Sequence, residues 1–297
     1  MRQGSGWLFV LPAIMFLAVF IVFPTLQTIR LSFDTGFNFS PTEFVGLQNY
    51  VDLFAHDRLF LELGRGLPRG ALPNTVLWIV LFVGGTLGVG LLTAVLSDSV
   101  RYGQVVKTIV FVPMAISFTA TGVIWRFVYS PDPSVGALNA ALVSVVPDFA
   151  PIAWLGRTGL ANFALIAAAV WIWTGFCMVI LSAALRGLDE AMLEAARIDG
   201  ASPWQIFWHI KIPLIWPTML VVMTTMVITV LKVFDLVLIM TQGGPRGSTR
   251  ILGFSMFWEA FTNFRPGYGS AIAVVMLVLV LPFVAFNIRR FRGEGRG

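Results

Sequence analysis

Charge is scarce in this chain. Only 12% of its 297 residues are charged, against about a quarter in an ordinary soluble domain. With 57% hydrophobic residues and a mean hydropathy of +0.84, it has too little polar side chain to clothe a globule, so most of its surface must meet lipid. Cysteine is scarcer still. Cys177 stands alone inside an apolar run, which excludes an internal disulfide and a thiolate metal cluster and leaves a small core residue. His56 and His209 fall on opposite sides of the membrane in the topology below, and no H-E-x-x-H occurs, so no metal site is expected. No G-x-x-x-x-G-K-[ST] occurs either, so the chain does not bind ATP through a P-loop. A net charge of +5 and a pI near 9.9 would suit nucleic acid. The bases are scattered at the ends of apolar runs, however, which is the membrane pattern. There is no internal repeat and no low-complexity segment.

What is present is a series of long apolar runs. Stretches free of Asp, Glu, Lys and Arg are Trp7–Ile29, Gly70–Ser97, Thr108–Trp125, Thr158–Leu185, Ile212–Leu231 and Pro266–Ile288. A span needs about 20 residues. The expectation is an all-α integral membrane protein with six spans, near 7–29, 73–97, 106–129, 158–185, 212–240 and 267–288, in a single domain over 1–297. The third and fifth spans are taken to run on past Arg126 and Lys232. The first run is longer than a signal peptide's apolar region and no small-x-small cleavage site follows it, so it reads as a retained helix.

Orientation follows from Lys and Arg. With the N-terminus in the cytosol, Arg2, Arg101, Lys107, Arg186, Arg197, Lys211, Arg289, Arg290, Arg292 and Arg296 lie inside. Arg30, Arg58, Arg65, Arg69, Arg157, Arg246, Arg250 and Arg265 are outside, spread over longer loops. The basic tail NIRRFRGEGRG is the firmest anchor, and an even number of spans puts both termini in the cytosol. The outer loops are then Arg30–Arg69, Ser130–Arg157 and Thr241–Arg265. FVGLQNYVDLF in the first reads as a short amphipathic helix after a glycine turn. Pro131, Pro133, Pro147 and Pro151 punctuate the second, and TQGGPRGST marks a sharp exit from the fifth span.

One polar stretch interrupts the apolar runs, Arg186 to Pro217. LDEAMLEAARI is strongly helix-forming, with acids in its first turn, where the helix dipole favours them. Asp199-Gly200 ends that helix, glycine supplying the positive φ that such a turn commonly needs. Ser202 suits an N-cap, Pro203 the first helical position, and Gln205 completes a capping box. The result is helix, tight turn, helix at the cytosolic surface, with Lys211 and Pro213 leading back into the bilayer. Glu194 and Arg197, at i and i+3, share a face and can pair. A plain solvated connector is the alternative, but helix–helix connections are mostly two to eight residues long.

EAARIDGASPWQIFWHIKIPLIWP resembles the EAA loop of permease subunits of binding-protein-dependent ABC importers. That pattern is Glu-Ala-Ala, three residues, Gly, then about nine residues to Ile-x-Leu-Pro. Here it is Glu194-Ala195-Ala196, Gly200, and Ile210-Lys211-Ile212-Pro213, departing only in Ile212 for the usual Leu. LPAIMFLAVFIVFPTLQTIRLSF, FVGLQNY, PNTVLW, IWRFVYSPDPSVGALN, VFDLVLIMTQGGP and YGSAIAV look like the maltose-type, carbohydrate-uptake branch, so the resemblance covers nearly the whole chain. TGFCMVILSAALRGLDEAMLEAARIDGASPWQIFW and VLKVFDLVLIMT look most like permeases for α-glucosides and related disaccharides.

The resemblance implies a type I importer permease fold in a bacterial inner or plasma membrane. It implies a second permease subunit sharing the translocation path, an ATPase dimer beneath that binds ATP and Mg, and an external sugar-binding protein that delivers the sugar. The chain itself would hold no cofactor and catalyse no covalent chemistry. Loop 187–213 would be the coupling element, with Glu194, Ala195, Ala196, Asp199, Gly200, Ile210 and Pro213 in the matching positions. Glu194 would face a basic residue of the ATPase and Gly200 would make the turn.

Within the membrane, Lys232 and Asp235 are spaced i, i+3 and can pair on one helix face. Such charges turn towards protein or water. They either line the path or hold its gate, or form a structural pair near the outer interface, or meet the partner permease. Arg126 is placed near the outer boundary, where it can snorkel. Trp171, Trp173 and Phe176 offer flat faces to a sugar ring, with Trp173 the candidate path residue, or they fill helix packing. An ion-coupled secondary transporter would need several buried ionisable groups, and a membrane enzyme would need a nucleophile or metal constellation. The docking loop favours the permease reading over both.

Overall fold

The second and fourth apolar runs form the centre of the molecule. The computed structural model describes residues 5–36, 43–62 and 69–294. Arg2, Arg65 and Arg296, used for orientation above, lie outside the described residues. We number the helices α1 (Phe9–Leu31), α2 (Gln48–Val51), α3 (Ala71–Asp98), α4 (Gly103–Phe111), α5 (Phe118–Val128), α6 (Ala137–Val145), α7 (Ala161–Arg186), α8 (Glu190–Ile198), α9 (Pro203–Lys232), α10 (Asp235–Met240), α11 (Leu252–Phe257) and α12 (Pro266–Glu294). Among the described residues the only β pairing is two isolated bridges, Asp34 with Phe44 and Glu62 with Arg69.

Helices α3 and α7 make the most extensive contact in the fold. Lipid gives little hydrophobic drive between helices, so close packing has to hold them, and small residues allow it. A Cβ at Gly90 would sit 2.7 Å from that of Cys177. Cys177 is fully buried there, as a small core residue. Trp78, Phe82, Leu165, Met178 and Leu181 continue this core, and Met226 and Val230 of α9 close it. Outward-facing residues of the long helices are large and apolar, as lipid contact requires.

Five helices are long and apolar enough to span a membrane: α1, α3, α7, α9 and the Pro266–Phe286 part of α12. The third expected span, 106–129, is not one helix. Gly103–Ala115 and Phe118–Val128 meet at 105°, and count as a sixth span only as a bent pair. The cause is local. Pro113 lies in a 3₁₀ turn, Ile116 is extended, and the Ser117 hydroxyl caps a new helix by accepting from the Ala120 N–H.

The fifth expected span, 212–240, also differs at both ends. Its helix begins at Pro203 and ends at Lys232. Val233 then turns extended and α10 starts afresh at Asp235. Gly253 of α11 crosses at this break, so close to the carbonyls of Leu231 and Val233 that a Cβ there would lie 2.9 and 2.7 Å from them.

Buried asparagines tie the ends of the helices together opposite the 187–202 turn. After a glycine turn at Gly46 (φ +59), α2 forms as expected, and Asn49 donates to the carbonyls of Ser32 and Asp34. Asn139 bridges Ser130 and Ile152 across the proline-punctuated loop. The Trp78 indole donates to Asn162, Asn162 to Asn74, and Asn74 to the carbonyls of Ser248 and Arg250 in the turn after α10. An unpaired buried polar group costs about 1–3 kcal/mol. Asn162→Leu is therefore expected to lower the thermal midpoint and to speed proteolysis near Arg246, measured on purified protein in detergent.

Candidate functional site

The polar hairpin between α7 and α9 is built as the sequence indicates, with one difference in its second arm. The Asp189 carboxylate caps α8 by accepting from the Ala191 N–H at 2.9 Å. At the other end the Ala201 N–H reaches the Ala196 carbonyl and the Gly200 N–H reaches Arg197, the two bonds of a Schellman turn. Gly200 has φ +85, which other L-residues adopt only under strain, and nothing lies within 4 Å of where its Cβ would be. The constraint at Gly200 is therefore conformational and not one of space.

Ser202 and Gln205 form the expected capping box. What they cap is not a second short helix. It is α9 itself, which runs unbroken from Pro203 to Lys232. A wide π turn over Ile206–Lys211, including Ile210, carries it into Pro213, which has no N–H to continue a tight ladder. The turn at Gly200 thus joins a 9-residue arm to a rod 30 residues long. Displacing that arm pushes on the end of a membrane span.

The hairpin's inner side is packed and its outer side is bare. Leu193 and Ile206 are buried where the arms touch. Glu194, Ala195, Asp199 and Gly200 are exposed, Ala196 is half-buried, and no ion pair joins Glu194 to Arg197, contrary to the sequence expectation. Ile198 at the tip is 86% exposed. A polar-sided arm with an uncovered isoleucine at its end has the chemistry of a docking knob.

Sequence reading missed the anchor behind the hairpin. Asp98, the last residue of α3, receives Lys107 of α4 at 2.6 Å and Arg186, the last residue of α7, at 2.7 Å. The Ser182 hydroxyl donates to the other carboxylate oxygen at 3.0 Å and accepts from Lys107. The α3–α4 turn beneath is tight, because Gly103 sits too close to the Ser97 carbonyl for any side chain. The only signal in the sequence was a set of polar residues at the ends of apolar runs.

The expected path residues are not brought together as a pair. Lys232 closes α9 and Asp235 opens α10, so the helix break removes the shared face. Both are exposed and no ion pair joins them. Trp173 is half-buried, edge-on to Phe176 at 5.5 Å and near Phe118 at 6.3 Å, with its indole N–H unpartnered. Arg126 is exposed in the last turn of α5.

A glycine-packed helical core, a lipid-facing apolar exterior and an exposed capped hairpin on the end of a span define a multi-span membrane subunit that works against a partner. The match to known families is specific. Residues 86–291 match the binding-protein-dependent transport system inner membrane component family, and the chain belongs to it. The family is the non-catalytic permease component of such importers.

The chain is 47% identical over 291 residues to the osmoprotective compounds uptake permease protein GgtC of Synechocystis sp., covering 97% of this chain and 99% of that one. It is 40% identical to the α-glucoside transport system permease protein AglF of Rhizobium meliloti, covering 98% and 83%. Its fold is similar to a chain of a bacterial ABC transporter that imports the acidic polysaccharide alginate. The TM-score is 0.78 at 24% identity, covering 95% of this chain and 94% of that one.

Proposed function

We propose that this chain is one permease of a sugar-importing ABC transporter and that it carries an α-glucoside or a related disaccharide. The capped hairpin with its exposed Ile198 carries the reading, because it gives the chain a place to receive work. The relatives support the cargo, since proteins named for α-glucoside, lactose and trehalose/maltose transport align over at least 97% of this chain. In this reading loop 187–213 is cytosolic and both termini lie on that side. An ATPase dimer that binds ATP and Mg grips the hairpin through Glu194, Ala195, Ala196, Asp199 and Gly200, with Ile210 and Pro213 in the rod behind them.

A second permease completes the path, and an external binding protein loads it. Closing of the ATPases moves α8, the Gly200 turn passes the motion to α9, and the break at Val233–Phe234 lets the far end of that helix reorient. Trp173, Lys232 and Asp235 line the path.

Reconstituted with its binding protein, second permease and ATPase, the complex is expected to take up radiolabelled maltose, trehalose or a methyl α-glucoside only with ATP. Uptake that follows an ion gradient and ignores ATP would contradict the reading. Because Lys232 and Asp235 are unpaired, the double Ala variant is expected to assemble normally and to lose uptake severalfold. Normal uptake would remove both from the path.

A further inference from the structure

A cavity of about 670 Å³ lies beside the first turn of α7, within the size range of small-molecule sites. Tyr129 marks its position, because its hydroxyl donates to the Ala164 carbonyl there. The Asp98–Arg186 cluster is at the other end of the same 26-residue helix, about 33 Å from Ala164 at 1.5 Å per residue. With the hairpin in the cytosol, the cavity opens on the outer side.

Its wall is mostly apolar and carries one cationic hydrogen-bond donor. Arg126 lines it and has no partner among the described residues. Trp154 lines it too, with its indole N–H buried away from the opening, so what it offers the cavity is its ring. The aromatic rings form a ladder. Trp125 lies 5.6 Å from Trp171 and 5.0 Å from Tyr129, and Tyr129 lies 6.2 Å from Trp154. Among the described residues no carboxylate lines the cavity. Flat aromatic faces suit the C–H face of a sugar ring. The Arg126 guanidinium is a donor only, so a ligand that pairs with it must bring acceptor oxygens.

We infer that this cavity is an outer carbohydrate subsite, which holds a neutral sugar by stacking on Trp154 and hydrogen bonding to Arg126 before the sugar enters the path. The inference rests on the sugar-import reading.

The test uses the full reconstituted complex with saturating loaded binding protein, and maltose, trehalose and lactose as probes. Arg126→Gln and Trp154→Leu are expected to keep ATPase stimulation by the binding protein, to lower sugar moved per ATP about tenfold, and to change the preference among the three sugars. Trp154→Phe keeps a ring and is expected to retain most of the transport. A purely structural lesion would lower all three sugars equally, in step with complex yield, and would overturn the site. Sugar per ATP and preference within twofold of the unsubstituted complex would overturn it as well. If the unsubstituted complex moved none of these sugars, the import reading and the subsite would fall together. Transport untouched in both variants would remove the subsite alone.

Discussion

Glu194→Lys is expected to leave the chain in the membrane at its normal level and to cut ATP-driven uptake about 100-fold. Glu194 stands exposed on an arm whose inner side is already packed through Leu193, so its carboxylate does nothing for the fold that the structure shows. Reversing a charge that a partner holds at a desolvated contact costs about 2–5 kcal/mol, which is about thirtyfold to several thousandfold in affinity.

Gly200→Pro is expected to act by a different route with a similar result. Proline fixes φ near −65° where the turn needs +85, and it removes the N–H that bonds to Arg197. The two arms then lose their fixed angle, although α9 keeps its cap at Ser202. ATP hydrolysis and sugar uptake, measured together on proteoliposomes, report both effects. Normal transport by either variant would show that the hairpin does not transmit work.

Asp98→Asn is expected to lower stability and uptake together. Asp98 joins the ends of α3, α4 and α7 at the root of the hairpin. Lys107 is only 11% exposed, so losing the carboxylate leaves a nearly buried cation without its counter-charge. Breaking such a pair costs about 3–5 kcal/mol when fully buried, and less here, because Arg186 reaches water. The thermal midpoint is expected to fall and uptake to drop about tenfold.

Asp98→Asn combined with Lys107→Met removes both charges, so most of the thermal loss is expected to return. Uptake is expected to stay low, because α7 no longer has a fixed point against which the hairpin moves. Recovery of uptake together with stability would make the cluster a fold-holding feature alone.

Local chemistry was legible in the sequence. Gly200 in a positive-φ turn and the Ser202–Gln205 capping box both follow from neighbouring residues, and both stand in the structure. So do the apolar cores of the first, second, fourth and sixth spans, since lipid imposes them directly.

Features that depend on distant residues were not legible. The break at Val233–Phe234 is shaped by Gly253 crossing it, and nothing between Ile212 and Met240 announces that approach. Counting Lys232 and Asp235 as helical neighbours failed for this reason. Asp98 and Arg186 meet across 88 residues. The bend after Pro113 had a local sign in the proline itself, but a charge-free run was read through it.

A cysteine at position 198 tests the docking claim most directly. The native Cys177 is buried, so Ile198→Cys presents the one accessible thiol at the tip of the hairpin among the described residues. Its rate of labelling by a water-soluble maleimide would be measured in membranes with and without the ATPase subunits. With the ATPase absent, labelling is expected to be fast. With it assembled, labelling is expected to slow at least tenfold, and a short bifunctional crosslinker is expected to join the two chains. Equal labelling rates in the assembled and unassembled states, with no crosslink, would contradict the claim that this hairpin is where the transporter receives its work.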